Sequence, residues 1–296
     1  MRSPQKDKLN PLYPLALLRD AKRVGYVFSG GSSRCAFQIG VIEALAELGV
    51  RPALAIGVSA GAWNAALVAA RSESRIRYYW RSFMRMPHID LRNLLVDHSP
   101  WRFREMHRRN FERFIGRDRF KQPDALPLFV SVTRFRDGAN VIFDARDVDD
   151  PLQLLLATNY LPPFYTHRPV INGEMYGDGG ISDNAPYEKA LSEGCDAVVV
   201  MTQKGESEGG LFKRKGDYDH IVTDPRVVVI RPRHRLPFSF TERRWDVLDV
   251  LARIGYLRTR EVLLGEDHVE THVRAEGEAP SARARRILRA IIPKSL

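Results

Sequence analysis

The fold is decided by residues 24–70, which read VGYVFSGGSSRCAFQIGVIEALAELGVRPALAIGVSAGAWNAALVAA. A short β-rich run ends at a glycine pair, and residues 35–48 then repeat apolar residues at the spacing of a helix. Gly49 follows, where a helix C-cap is expected. A second apolar run at 53–57 precedes a helix of small residues at 60–70. This repeated order of strand, turn and helix predicts a mostly parallel sheet with helices on both faces.

The rest of the chain continues this pattern with one interruption. Residues 71–120 are rich in arginine and aromatic residues, and we interpret them as two or three helices inserted beside the sheet. The pair Asp137-Gly138 lies between two apolar runs and predicts a β-hairpin. Further strands and short helices are predicted downstream, at residues 152–158 (helix), 174–176 (strand), 186–192 (helix), 197–201 (strand) and 226–230 (strand).

This pattern predicts that the chain is divided into three parts. Residues 1–22 form an N-terminal arm, residues 23–232 the α/β domain, and residues 233–296 a helical, basic C-terminal segment packed on that domain. The segment has apolar residues at helical steps from Trp245 and an arginine-rich amphipathic tail from Ala282. A polar, glycine-rich loop is predicted at residues 205–216.

The composition indicates the broad class of protein, but it does not identify a binding partner. The 296 residues carry a net charge of +10, which would suit nucleic acid, an anionic membrane surface, an acidic partner or simply a soluble surface. Two cysteines provide neither a disulfide framework nor a metal-ligand spacing. The sequence contains no run of eighteen or more apolar residues, so we expect no segment to cross a bilayer. Since the first twenty residues lack signal-peptide features, we expect a cytoplasmic protein that associates at most peripherally with a membrane.

The sequence GVSAG at residues 57–61 fits the nucleophile pattern G-x-S-x-G. A serine on a sharp turn from strand to helix has a strained backbone, and Gly57 and Gly61 allow the close approach that this turn needs. The apolar run before Ser59 and the helical pattern after it provide that context. The pattern therefore predicts Ser59 as a nucleophile, whereas the structural alternative is an inert serine in a tight turn.

A second glycine-rich turn precedes the first predicted helix. Its free backbone N–H groups would bind either a phosphate or an oxyanion, and its members are Gly30, Gly31, Ser32, Ser33 and Arg34. The turn lacks the ending of a P-loop and the third glycine of a dinucleotide fingerprint. With a candidate nucleophile nearby, the oxyanion interpretation is favoured over a simple helix-capping turn.

A nucleophilic serine needs a base. Four late histidines are candidates for a Ser-Asp-His triad, although none lies in a convincing loop at a strand end: His220, His234, His268 and His272. Asp178 is the stronger candidate, because it ends a predicted strand and precedes Gly179 and Gly180, which let another group come close. A simple Asp-Gly turn is the structural alternative.

Together these motifs resemble the patatin-like phospholipases. The matching stretches are SGGSSRCAFQIGVIEAL (29–45), GVSAG (57–61), ATNYLPPFY (157–165) and DGGISDNAP (178–186), and the resemblance extends from about residue 24 to residue 200. It implies a three-layer α/β/α sandwich and a catalytic dyad of Ser59 and Asp178. It also implies an oxyanion hole in the loop 30–34 and a supporting role for Asn184.

The implied activity is calcium-independent hydrolysis of fatty acyl esters in (lyso)phospholipids or related lipids, with no cofactor and no metal. The expected partners are a lipid substrate and an anionic membrane surface, to which the arginines of 71–120 and the basic tail would bind. Ordinary amphipathic helices with solvated arginines are an equal alternative. No nucleic-acid partner is expected, because the basic charge is dispersed and no recognition motif is present.

The chain departs from the family pattern at two positions, where it has Ser32 and Cys35 instead of glycine. A positive φ at either position would strain the loop. Cys35 is either a small packed thiol or a thiol of lowered pKa, since it follows a basic residue at a helix start. Two other functions stay open: a small-ester carboxylesterase with a Ser-Asp-His triad, and a catalytically silent scaffold that binds lipid or protein.

Overall fold

The computed structural model describes residues 13–162, 168–205, 224–236 and 242–267. Several predictions fall outside these ranges. They concern the first twelve residues of the arm, the glycine-rich loop beyond residue 205, the basic tail, and three of the four late histidines, namely His220, His268 and His272.

A mixed eight-stranded sheet forms the centre of the molecule. Its strands are β1 (Val24–Phe28), β2 (Pro52–Val58), β3 (Leu128–Arg134), β4 (Asn140–Asp144), β5 (Val170–Ile171), β6 (Glu174–Asp178), β7 (Ala197–Met201) and β8 (Val227–Ile230). The spatial order is β5-β6-β3-β2-β1-β7-β8, and β4 also pairs with β3. Five strands that are neighbours in this order are parallel to one another, namely β3, β2, β1, β7 and β8. The other three strands pair antiparallel: β4 and β6 with β3, and β5 with β6.

Helices cover this sheet. They are α1 (Tyr13–Asp20), α2 (Phe37–Glu47), α3 (Ala60–Ala69), α4 (Ile76–Arg85), α5 (Leu94–Asp97), α6 (Phe103–Phe114), α7 (Pro151–Ala157), α8 (Tyr187–Ser192) and α9 (Trp245–Leu264). The predicted α/β fold and the hairpin are therefore confirmed, and α4, α5 and α6 lie within residues 71–120. Two differences appear: the short edge strand β5 was not predicted, and α2 begins at Phe37 because the 3₁₀ turn Ser32–Ala36 precedes it.

The two faces of the sheet bury separate hydrophobic clusters. Successive side chains of a strand point to opposite faces, so Tyr26 and Phe28 pack with α2, α3 and α9 while Val27 packs on the side of α8. Because of this alternation, each face of the sheet packs against its own layer of helices. No helix in the described parts of the chain has the length and apolar character needed to span a membrane.

Helix α9 is part of the core, although it lies in the predicted C-terminal segment. It crosses α2 so closely that a Cβ at Gly40 would lie 1.7 Å from the Ala252 carbonyl oxygen, and one at Gly255 would lie 2.0 Å from that of Phe37. Only glycine allows the two backbones to approach this far. The division of the chain into arm, main domain and C-terminal segment stays a prediction.

Candidate active site

Ser59 lies on a strained turn between β2 and α3. Its backbone has φ 51° and ψ −132°, a conformation that L-residues rarely adopt. A Cβ at Gly61 would lie 2.5 Å from the Ser29 carbonyl oxygen, and one at Gly57 would lie 2.4 Å from the Ala62 Cα. Both glycines are therefore sterically required, and the turn has the geometry expected of a nucleophile elbow.

Asp178 is the hydrogen-bond partner of this serine. Ser59 Oγ donates to Asp178 Oδ2 at 2.6 Å, and the Gly180 N–H donates to Oδ1 at 2.8 Å. The carboxyl group is buried, with 2% of Asp178 exposed. Two groups that are 119 residues apart in the chain are thus in direct contact at the ends of β2 and β6.

Burial sets the acidity of this carboxyl group. It raises the pKa of Asp178 to about 7, while the hydrogen bonds donated by Ser59 and the Gly180 N–H lower it in part. Desolvation disfavours the charged form of a carboxyl group, which makes the carboxylate a stronger base. A group of this kind suits proton transfer near neutral pH.

The backbone of Ser59 is held by two residues that the sequence analysis did not select. The Ser59 N–H donates to Thr158 Oγ1 at 2.8 Å, and Asn159 Nδ2 donates to the Ser59 carbonyl oxygen at 3.1 Å. Thr158 in turn donates to the Ser131 carbonyl oxygen at 2.6 Å. The signal available in the sequence was the segment ATNYLPPFY, whose Thr and Asn follow α7 directly.

The glycine-rich loop lies against the nucleophile. A Cβ at Gly30 would lie 2.6 Å from Ser59 Cβ. The Gly30 N–H is already used, because it donates to Asn184 Oδ1 at 2.8 Å, and Asn184 Nδ2 donates back to the Gly30 carbonyl oxygen at 3.3 Å. Asn184 therefore fixes the loop, and Gly30 offers no free N–H.

The free donors of this loop come after Gly30. Within the described ranges, no acceptor binds the N–H of Gly31 or Ser32, and both stand at the start of the 3₁₀ turn. Ser32 and Ser33 also line the cavity that contains Ser59, whereas Arg34 does not. Of the five loop residues selected from the sequence, Gly30 lies against Ser59, and Ser32 and Ser33 line the cavity that contains it.

Ser32 has the positive φ considered in the sequence analysis, at 53°, whereas Cys35 does not. Cys35 is fully buried, its Sγ lies 3.5 Å from the Ser29 carbonyl oxygen, and burial raises the pKa of its thiol. Cys35 is therefore a packed thiol, and the alternative of a lowered pKa is wrong.

We expect Ser32→Gly to increase the free energy of unfolding by about 1 kcal/mol, because glycine adopts positive φ without the steric cost that serine carries. Denaturant unfolding at constant slope measures this change. Ser33→Gly is the matched control: Ser33 has no positive φ, so glycine there should lower stability by about 0.5–1 kcal/mol through backbone entropy. Equal losses for both variants would contradict strain at residue 32.

A largely aromatic cavity of about 450 Å³ opens at Ser59 and Asp178. Residues between α3 and β3 supply nearly half of its lining, including Tyr79, Trp80, Phe83, Met84, Trp101 and Phe103, while Glu242 and Arg243 contribute from the segment before α9. An apolar cavity with a few convergent polar groups is typical of a small-molecule site. Here the polar groups are those of the Ser-Asp pair and the glycine-rich loop.

Two histidines that the sequence analysis did not consider line the same cavity. His107 stacks on Trp63 with ring centroids 4.2 Å apart, and burial lowers its pKa to about 3. Burial and the nearby Arg243 lower the pKa of His88 to about 4. In the described part of the chain, no histidine hydrogen-bonds to Ser59 or Asp178, and the candidate His234 does not line the cavity.

Known proteins resemble this chain in sequence and in structure. The family model described as patatin-like phospholipase matches residues 26–191. "Patatin-like phospholipase domain-containing protein 6" from Homo sapiens and from Mus musculus are each 25% identical over 280 residues. These alignments cover 86% of this chain and 20% of each relative, so the chain spans about a fifth of their length. The solved structure of VipD from Legionella pneumophila is 15% identical with a TM-score of 0.48, covering 90% of this chain and 75% of VipD.

Proposed function

The chain belongs to the patatin-like phospholipase family, and we propose that it hydrolyses fatty acyl esters of (lyso)phospholipids or related lipids through an acyl-serine intermediate on Ser59. The observation that carries this proposal is the 2.6 Å hydrogen bond from Ser59 Oγ to Asp178 Oδ2. It lies beside free backbone donors and at an apolar cavity of about 450 Å³. We assign catalysis to the domain of residues 23–232, with the arm 1–22 and the segment 233–296 as packing elements.

In the first half of the reaction, Asp178 accepts the proton of the Ser59 hydroxyl as Oγ attacks the ester carbonyl carbon. The carbonyl oxygen becomes an oxyanion, which the N–H groups of Gly31 and Ser32 stabilise by hydrogen bonds. Asp178 then donates the proton to the leaving alcohol oxygen, and the carbon–oxygen bond of the ester breaks. The acyl group remains on Ser59.

In the second half, a water molecule attacks the acyl-serine carbonyl carbon. Asp178 accepts a proton from this water and passes it to Ser59 Oγ as the fatty acid leaves. The same carboxyl group thus serves as base and acid in both halves, which requires a pKa close to the working pH. The value of about 7 fits that requirement.

The cavity supports a fatty acyl chain as the bound part of the substrate. Its aromatic wall would bury the methylene groups of a chain, each worth about 0.8 kcal/mol. A second cleft lies between α4 and α6 and is lined by Arg81, Arg85, Arg109 and Arg113. These cations support the proposed attraction to anionic lipid surfaces.

We expect the wild type to release fatty acids from members of a lipid panel, with mass spectrometry as the readout. Ser59→Ala should release none above background, and Asp178→Asn should release far less than the wild type. The panel varies head group, acyl position and chain length, so the products also define the substrate. A fluorophosphonate probe, which labels activated serines, should label the wild type at Ser59. Absence of labelling would instead favour the catalytically silent scaffold.

The triad carboxylesterase is tested by the same assay. Replacing His220, His234, His268 and His272 with alanine one at a time should leave hydrolysis within about twofold, because the proposed base is the Asp178 carboxyl group and no histidine is needed for proton transfer. Loss of activity in one of these variants would favour a triad.

A further inference from the structure

Residues 88–102, here called the leucine loop, leave the fold between α4 and α6 and return to it. At their base Ile89 pairs with Trp101 as an antiparallel bridge. The Arg102 N–H donates to the His88 carbonyl oxygen at 2.9 Å. The loop is therefore closed at its base by backbone contacts.

The tip of the leucine loop is also held by hydrogen bonds. Asn93 Nδ2 donates to the carbonyl oxygens of Ser99 and Trp101, at 2.9 and 2.8 Å. The Asp90 side chain accepts from the Arg92 N–H at 3.0 Å. These bonds fix the backbone of the loop with its apolar side chains facing outwards.

Four large apolar side chains of this loop are exposed within seven residues. The exposed fractions are 52% for Ile89, 72% for Leu91, 44% for Leu94 and 87% for Leu95. These are half of the large apolar side chains exposed in the described residues. Single exposed apolar side chains are ordinary, but a cluster of this kind marks an interaction surface.

This apolar cluster is continuous with the candidate active site. Ile89 and Trp101, which form the base of the loop, also line the cavity that contains Ser59. The leucines thus stand beside the cavity mouth. A cation accompanies them at the cavity: Arg243 is an exposed residue of its lining, whereas the Arg92 guanidinium, although 89% exposed, is paired with the Asp90 carboxylate at 2.9 Å.

We propose that the leucine loop inserts Leu91, Leu94 and Leu95 into the acyl layer of a phospholipid bilayer, so that the cavity mouth lies at the lipid surface. This inference rests on the proposed lipid hydrolase function. Apolar side chains beside cations match the two layers of such a surface, acyl chains below and phosphates above. A lipid molecule then moves from the bilayer into the cavity along an apolar path.

Vesicle flotation tests the insertion. In a Ser59→Ala background, which leaves the lipid intact, Leu91→Asp/Leu95→Asp should lower binding to phosphatidylcholine vesicles containing phosphatidylserine by at least about tenfold, because each leucine loses its transfer into the apolar layer. Two matched controls should bind like the parent: Leu91→Ile/Leu95→Ile keeps the apolar surface, and Val170→Asp charges a side chain that is 57% exposed outside the loop.

A fluorescent label measures insertion directly. The two native cysteines, Cys35 and Cys195, are buried, so a dye attached to Leu95→Cys reports on the loop. Brominated acyl chains should quench the dye at residue 95 but not a dye at Val170→Cys. Equal quenching at the two positions would overturn the proposal.

Catalysis separates this proposal from the proposed function. In the Ser59 enzyme, Leu91→Asp/Leu95→Asp should hydrolyse a soluble short-chain ester within about twofold of the wild-type rate, yet lose about tenfold or more on vesicles. Equal losses on both substrates would overturn insertion. The proposal would also be overturned if the variant bound vesicles as the wild type does and instead changed a dimeric wild type into a monomer, because the leucines would then serve self-association. If the wild type cleaves no ester, the hydrolase function fails, while flotation and quenching still decide insertion.

Discussion

Replacing Ser59 with alanine is expected to lower kcat for fatty acyl ester hydrolysis on the order of 10⁵-fold, as is typical when a covalent nucleophile is removed. No other group in the described cavity takes over its role, because an attacking oxygen must stand beside both the Asp178 carboxyl and the free loop donors. The measurement is the initial rate of fatty acid release at saturating lipid. Labelling by a fluorophosphonate should disappear in the same variant.

The Ser59→Ala variant should fold normally. The hydrogen bonds from Ser59 N–H to Thr158 and from Asn159 to the Ser59 carbonyl oxygen use the backbone and survive the change. Ser192→Ala is the matched control, since its exposed hydroxyl only donates to the Lys189 carbonyl oxygen. Residual activity above about 1% of wild type in Ser59→Ala would contradict the assignment of Ser59.

Replacing Asp178 with asparagine should lower kcat by about 10²- to 10⁴-fold, the usual contribution of a general base. Asparagine preserves the shape and can still meet Ser59, but it does not accept a proton. Asp183→Asn is the matched control on the same loop, because asparagine still offers an oxygen to the Ala185 N–H that Asp183 binds. Similar losses in both variants would indicate a structural effect.

The pH dependence of the wild type gives an independent measure of the same base. Asp178 must be ionised to act, and burial raises its pKa to about 7. We therefore expect kcat/KM to be constant above pH 8 and to fall about tenfold per pH unit below 7, so that pH 5 gives about 1% of the plateau. A rate that stays constant down to pH 4 would exclude Asp178 as the base.

The same burial predicts that Asp178→Asn stabilises the fold at alkaline pH. The carboxyl group is neutral in the folded protein below its raised pKa and ionised in the unfolded chain above about pH 4. The advantage of asparagine should therefore be absent below pH 4, grow between pH 4 and 7, and reach on the order of 4 kcal/mol above pH 8. Denaturant midpoints of the two proteins across this range measure it.

Local pattern was informative for the fold and for the choice of candidate residues. The elbow around Ser59 was predictable because a strand, a small-residue turn and a helix must meet at glycines, whatever the remainder of the chain does. Asp178 was predictable as a strand-end carboxyl followed by two glycines. The aromatic character of residues 71–120 was visible as well, although its role in lining the cavity was not.

Other features of the site were not accessible in this way. The loop 30–34 was selected as a unit, yet the Gly30 N–H is bound by Asn184, which lies 154 residues further along the chain. Thr158 and Asn159 lie in the segment ATNYLPPFY that carries the family resemblance, but nothing in the sequence pointed to a contact with Ser59. Their roles arise from backbone contacts with Ser59 that form only when α7 and β2 are adjacent.

The order of helices and strands, the mostly parallel sheet and the two candidate catalytic residues follow from the sequence alone, because apolar periodicity and glycine sterics act over a few neighbouring residues. Three features were decided by the tertiary structure alone: the raised basicity of the Asp178 carboxylate, the unbound N–H groups of the loop next to Ser59, and the position of the leucine loop at the cavity mouth. Each of these depends on burial and on hydrogen bonds between residues distant in the chain, so only the packed fold determines them.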